Sequence, residues 1–201
     1  MEGTHLYIVL TRTNTVISRL IRLFTQDEYT HAALSLDKEL DEMYSFARKW
    51  AYNPFIGRFK RERLDEGLYK VARQLPGTII EIDVSNADYL AVRRIIDHFI
   101  ANQTEYKYNF IGLFYGLFKI PAETKNKFLC SQFVYYVLNE SGIIEFNKSA
   151  NLVRPVDFLS LNGNIIFQGN LKQFSVDTHY LPTRVRFVNW CRDRWSEHRV
   201  G

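Results

Sequence analysis

Two residues far apart along this sequence carry the chemistry of covalent acyl transfer. Cys130 opens the run FLCSQFVYYVLNESG. A free thiol is only a few per cent ionised near neutral pH, and it becomes a strong nucleophile where a helix N-terminus and an adjacent imidazole lower its pKa. Phe133, Val134, Val137 and Leu138 form the apolar stripe of a helix that Cys130 begins. Cys130 lies one turn before the first two of these, so it points toward whatever the helix packs on. The same placement suits an inert buried cysteine. His31 lies in the run YTHAALSL, which reads as a strand with His31, Ala33 and Ser35 on one face and Ala32, Leu34 and Leu36 on the other. A strand histidine beside a helix-opening cysteine is the arrangement of a thiol nucleophile and its base.

A third group must orient the imidazole. The turn Asp37, Lys38 and Glu39 joins the His31 strand to a returning strand from Leu40 to Ala47. A three-residue loop there pairs Leu36 with Leu40 and sets His31 across from Ser45 on the same face. A slip of one residue flips the face, bringing Tyr44 opposite His31 and Glu42 opposite Ala33. The candidates are therefore Ser45 first, Glu42 second and Tyr44 third.

The elements that must position these residues are readable in part. His5 to Leu10 is an apolar strand, and a helix follows with Asn14 as its cap and Val16, Ile17, Leu20, Ile21 and Phe24 at helical spacing. Residues 48 to 66 read as a long irregular excursion, of which Trp50 to Arg63 is a candidate lid over the site, or simply packing. Leu68 to Arg73 and Thr78 to Val84 read as strands separated by a Pro76-Gly77 turn. Asn86 to Ala101 reads as a helix with Leu90, Val92, Ile95, Ile96, Phe99 and Ile100 on its buried side. A short apolar helix or turn is expected from Asn109 to Phe118, where Phe114, Tyr115 and Phe118 are candidates for an acyl groove or for core. The Cys130 helix ends at Ser141-Gly142, Arg154-Pro155 opens another short helix, and Gly169-Asn170 signals a hairpin between Ile165 to Gln168 and Leu171 to Phe174. Strands mixed with segregated helices predict an α+β fold. Val185 to Trp190 reads as a last strand.

Bulk properties narrow the function classes. With 201 residues and 46% hydrophobic content the chain can bury one sizeable core. It is read as a single domain over 1–201, with 176–201 as a tail of uncertain placement. The net charge of +4 is a mild excess, gathered locally at Arg58, Lys60, Arg61 and Arg63 and at Arg192, Arg194 and Arg199. No recognition motif accompanies these groups, so no nucleic-acid partner is expected. Two cysteines, Cys130 and Cys191, make no disulfide framework. The start lacks a basic n-region and a cleavage site, and Phe110 to Phe118 is shorter than the roughly 20 residues that span a bilayer. A cytoplasmic protein with no transmembrane segment is expected. His5, His98, His179 and His198 show no metal-ligand spacing along the chain, so no metal or cofactor is read here.

The strand THAALSL, the next strand MYSFARK and the much later FLCSQFVYYVL together resemble the circularly permuted branch of the NlpC-type papain-like superfamily. That branch includes the YiiX-like hydrolases and the lecithin retinol acyltransferase-like proteins. LTRTNTVISRLIRLFT, YKYNFIGLF and VRPVDFLSL extend the likeness over about residues 5 to 175. In papain order Cys precedes His, whereas here His31 precedes Cys130, as in permuted members. The resemblance implies a papain-like fold with an antiparallel sheet packed against helices. It implies Cys130 as nucleophile, His31 as base, and a third polar position at or next to Ser45. Relatives often hold His, Glu, Gln or Asn at that third position, so Ser45 departs from the pattern. The implied substrate is a small peptide-like or acyl molecule, with amide hydrolysis as the leading activity and acyl transfer or a non-catalytic binding role behind it. In the mechanism this implies, the thiolate attacks a carbonyl to give an acyl-enzyme, the Cys130 N–H holds the oxyanion, and Gln132 or Tyr7 supplies a further donor.

Overall fold

The computed structural model describes residues 4–13, 16–48, 57–109, 120 and 126–174. Its elements are β1 (Thr4–Thr11), α1 (Val16–Thr25), β2 (His31–Ser35), β3 (Met43–Arg48), β4 (Gly57–Glu62), α2 (Gly67–Val71), β5 (Pro76–Val84), α3 (Asn86–Ala101), β6 (Lys107–Tyr108), β7 (Lys127–Phe128), α4 (Cys130–Glu140) and β8 (Asn164–Asn170), with 3-10 turns at Ala150–Leu152, Pro155–Ser160 and Leu171–Gln173. Six strands form one sheet in the order β4-β3-β2-β1-β5-β8, and every pairing in it is antiparallel. β6 and β7 make a short parallel pair. The architecture is α+β, as the sequence predicts. Among the described residues no helix is long and apolar enough to cross a membrane.

β1 runs near the centre of the sheet, and Leu6 to Leu10 are all buried because both faces are covered. On one face α3 and α4 close a core of Leu6, Ile8, Leu34, Phe46, Phe59, Val92, Phe99 and Phe133. The Phe133 ring of α4 lies 5.2 Å from Phe99, 5.4 Å from Phe59 and 5.5 Å from Phe46, which seats the helix on the sheet through aromatic packing. On the other face a smaller core gathers Tyr7, Val9, Ala33, Met43, Tyr69, Leu75, Ile79 and Leu171. α3 begins at Ser85 with a reciprocal capping box to Asp88. α4 ends in a Schellman motif: Ile143 N–H reaches Leu138 O, Gly142 N–H reaches Asn139 O, and Gly142 takes φ 72°.

The structure corrects several local expectations. The excursion over 48–66 contains β4, an edge strand. Its alternating charges suit an edge and mask its strand character. Of the candidate lid, residues 50–56 lie outside the described residues. Leu68 to Arg73 is not a strand, since Gly67–Val71 is a short helix. Pro76 and Gly77 are not a turn but the start of β5, paired with Asn170 and Gly169. A Cβ on Gly77 would sit 2.6 Å from the Leu10 carbonyl oxygen, which is why glycine occupies that strand position. Gly169-Asn170 ends β8 rather than turning a hairpin, and Leu171–Gln173 is a 3-10 turn. Asn14, residues 110–119 and the stretch from Val185 to Trp190 lie outside the described residues, so the helix cap, the apolar helix or turn and the last strand expected there are not addressed.

Candidate active site

α4 lies against β2 and β3, and its first residue is Cys130. Ser131 Oγ donates to Val153 O at 2.6 Å and pins the helix start, while Gln132 Oε1 accepts from Leu129 N–H at 3.3 Å. The pairing of β2 with β3 covers only Leu34 with Tyr44 and Ser35 with Met43, although β3 continues to Arg48 alongside β4. The backbone at the start of β2 therefore has no ladder partner on that side. The Cys130 sulfur lies at this gap, near enough to the Ala32 and Ser131 N–H groups for them to favour its thiolate. The His31 imidazole stands close enough to the sulfur for each group to shift the ionisation of the other. The gap explains how a cysteine from a helix on one face reaches a histidine on the other.

His31 presents its second nitrogen to a carboxylate. His31 Nε2 donates to Glu62 Oε2 at 2.8 Å, which leaves Nδ1 for the thiol. Tyr69 Oη donates to the same Glu62 oxygen at 3.1 Å, and Lys60 Nζ stands 3.9 Å from the other. Strand pairing explains the approach: Met43 faces Glu62 and Ser45 faces Lys60, so Glu62 shares the face of His31, Ala33 and Ser45. Tyr69 arrives from α2. The site is nearly closed, with 16% of the His31 side chain and 6% of the Glu62 side chain exposed.

The electrostatics favour an ion pair. Burial opposes charge on His31, but Glu62 and then the Cys130 thiolate outweigh it, and the imidazole pKa is pushed from 6.5 up to about 10. Burial likewise opposes the Cys130 thiolate, yet the His31 charge, helped by the Ala32 and Ser131 N–H groups, brings its pKa below the ordinary thiol value. For Glu62, burial is again outweighed by His31, and the carboxyl falls to about 2.

These shifts fix a pH signature with a definite sign. Glu62 is more acidic folded than unfolded, so its contribution to stability is present above about 4.5 and lost as pH falls toward about 2. His31 is more basic folded than unfolded, so its contribution is present below about 6.5 and lost as pH rises through about 10. The Tm difference between the native chain and Glu62→Gln is therefore expected to be largest between about pH 4.5 and 6.5 and to shrink on both sides. A difference that stays constant from acid to alkali contradicts the assignment.

Of the residues singled out from sequence, the structure brings Cys130 and His31 together but puts Glu62, rather than Ser45, on the imidazole. The turn after β2 is longer than three residues: Leu36 N–H bonds Glu42 O, Asp37 accepts from the Asp41 and Glu42 N–H groups, and Leu40 takes φ 62°. The register shifts by two, which preserves the face of Ser45 but moves it along to Ala33. Its fully buried hydroxyl makes no hydrogen bond of good geometry, and it stands close enough to Glu62 to help hold that carboxyl ionised. Glu42 pairs instead with Arg93 at 2.6 Å, and Tyr44 lies in the helix-covered core. Tyr7, expected as an oxyanion donor, sits in mid-β1 between Ser35 and Glu81, away from Thr11, the residue that faces His31. The Gln132 carboxamide oxygen is committed to Leu129 N–H. His98 is satisfied by Tyr106 at 3.0 Å on the outer side of α3.

Glu62 and Tyr69 are missing from the sequence reading. The charged alternation in GRFKRE is the signal that would have found β4, with Phe59 the one large apolar residue in it. Comparison with family models, with curated proteins and with solved structures gives no match for this chain.

Proposed function

We propose that the protein is a thiol-dependent hydrolase that cleaves an amide bond in a peptide-like or cell-wall-like substrate through an acyl-enzyme on Cys130. The observation that carries this reading is one continuous arrangement: a helix-opening thiol whose ionisation is coupled to His31, whose ring is held in turn by buried Glu62. A merely structural cysteine needs no imidazole, and a merely structural histidine needs no thiol. The order of His before Cys, the antiparallel sheet and the helix that begins at the cysteine support placing the chain with the circularly permuted papain-like proteins. A third polar residue that is Glu suits that likeness better than Ser45 does.

In this mechanism the Cys130 thiolate attacks the substrate carbonyl carbon. The developing oxyanion is met by the Cys130 N–H, which at the first helical position has no acceptor within the helix, and by the positive end of the helix dipole. Imidazolium His31 then gives its proton to the departing amine, leaving a thioester. His31, now neutral, takes a proton from water, whose oxygen attacks the thioester carbonyl and releases the acid and the thiolate. Glu62 keeps the ring oriented and its charge compensated throughout, and Tyr69 keeps Glu62 oriented.

Acyl transfer or lipid hydrolysis is the second reading, favoured by α1. Leu23 and Phe24 stand 73% and 65% exposed on that helix, which leads into the His31 strand, and Arg22 is exposed between turns of it. Turnover measured on peptide amides and on fatty-acyl esters, each with the native chain and with Cys130→Ala, separates the two. Cys130-dependent cleavage of amides alone supports the first reading, of acyl esters alone the second. The absence of Cys130-dependent cleavage in either series overturns both.

A further inference from the structure

β1 and β5 lie side by side in the sheet, and their register sets His5 opposite Asp83 and Tyr7 opposite Glu81. One ligand atom each from His5, Glu81 and Asp83 lies within 4.8 Å of the other two. His5 Nδ1 is 2.8 Å from Asp83 Oδ1 and is shielded from solvent, yet it makes no hydrogen bond. A ring nitrogen and a carboxylate oxygen that close, with no N–H in line between them, are two lone-pair donors facing a common point. Neighbouring ligands on an ion with metal–ligand bonds of about 2.0–2.2 Å stand about 3 Å apart, so the spacing is that of a chelating pair. The Glu81 side of the cluster is more than nine-tenths buried, with the uncharged Tyr7 as its cross-strand neighbour. Among the described residues His5 alone pairs with Asp83, and no Lys or Arg pairs with Glu81.

We propose that His5, Glu81 and Asp83 bind a divalent transition-metal ion of the zinc class, which clamps β1 to β5. One imidazole nitrogen with two carboxylates favours such an ion over magnesium or calcium, which prefer all-oxygen sites. Asp83 is 73% exposed on its side of the cluster, so water completes the coordination. The site is distinct from the thiol. His5 is separated along β1 from Thr11, the residue that faces His31, by about 20 Å at the usual rise per strand residue.

The test is calorimetric titration of the full chain with zinc chloride, with both thiols removed as Cys130→Ala and Cys191→Ala so that neither competes for zinc. Native chain with its thiols alkylated is the second background if the double variant does not fold. The expected result is one saturable equivalent and a rise in Tm with zinc. Asp83→Asn, at an exposed position that leaves the fold intact, is expected to weaken binding at least about tenfold, the scale seen even for groups one step removed from a metal. His5→Gln is expected to abolish both the binding and the Tm rise. No saturable binding in either background, or an affinity unchanged by both substitutions, overturns the site.

Discussion

Cys130→Ala is expected to abolish turnover on every substrate the protein cleaves, with a loss of about 10⁴-fold or more, because a covalent nucleophile acts as a unit with its base. The fold is expected to survive. The thiol contributes a small buried side chain, and the His31–Glu62 ion pair does not depend on it. Circular dichroism checks the fold, steady-state kinetics check turnover, and iodoacetamide labelling located by mass spectrometry checks the residue. The native chain is expected to be alkylated fastest at Cys130. Rapid selective alkylation at Cys191 contradicts the assignment.

Glu62→Gln is the second large effect. The substitution keeps the shape of the side chain and one acceptor for His31 Nε2, but it removes the charge that does most to hold the imidazole protonated. Its kcat/KM is expected to fall by about 10²–10⁴-fold, the usual worth of a positioned acid–base group. The alkaline limb of activity is expected to move down from about pH 10 toward neutrality. Glu62→Ala is expected to destabilise the protein as well, by about 3–5 kcal/mol, since it leaves a buried imidazolium without its partner. Ser45→Ala is the contrasting variant. Its hydroxyl touches neither reacting group, so the activity loss is expected to be far smaller and the alkaline limb to stay in place. If Ser45→Ala matches Glu62→Gln in both respects, the orienting role passes to Ser45.

The parts of this site legible in sequence are those encoded locally. Helical spacing of Phe133, Val134, Val137 and Leu138 places Cys130 at a helix start, and alternation places His31 on a strand face. Both are short-range patterns that the sheet and the aromatic core leave intact. The α+β class follows from the same patterns. The third residue is not local. Its identity depends on how many residues the turn after Leu36 consumes, and Asp37 expands that turn by accepting backbone N–H groups from Asp41 and Glu42. It depends further on a strand, Gly57–Glu62, whose Arg58, Lys60 and Arg61 read as a solvated basic cluster because an edge strand carries charge. The Tyr69 contact was hidden for a related reason: LYKV has the composition of a strand, yet it forms a short helix that packs Tyr69 against Glu62. His5 likewise shows no ligand spacing along the chain, because Glu81 and Asp83 reach it only through the pairing of β1 with β5.

The pH dependence of Cys130 alkylation tests the central claim most directly, since it reads the ionisation of one sulfur without requiring a substrate. Followed by mass spectrometry at Cys130, the native chain is expected to reach half-maximal rate well below the ordinary thiol value of about 8.5. The midpoint is expected to climb in Glu62→Gln and further in His31→Ala, where only the Ala32 and Ser131 N–H groups still oppose the effect of burial on the thiol. A native midpoint at or above 8.5, unmoved by either substitution, contradicts the account.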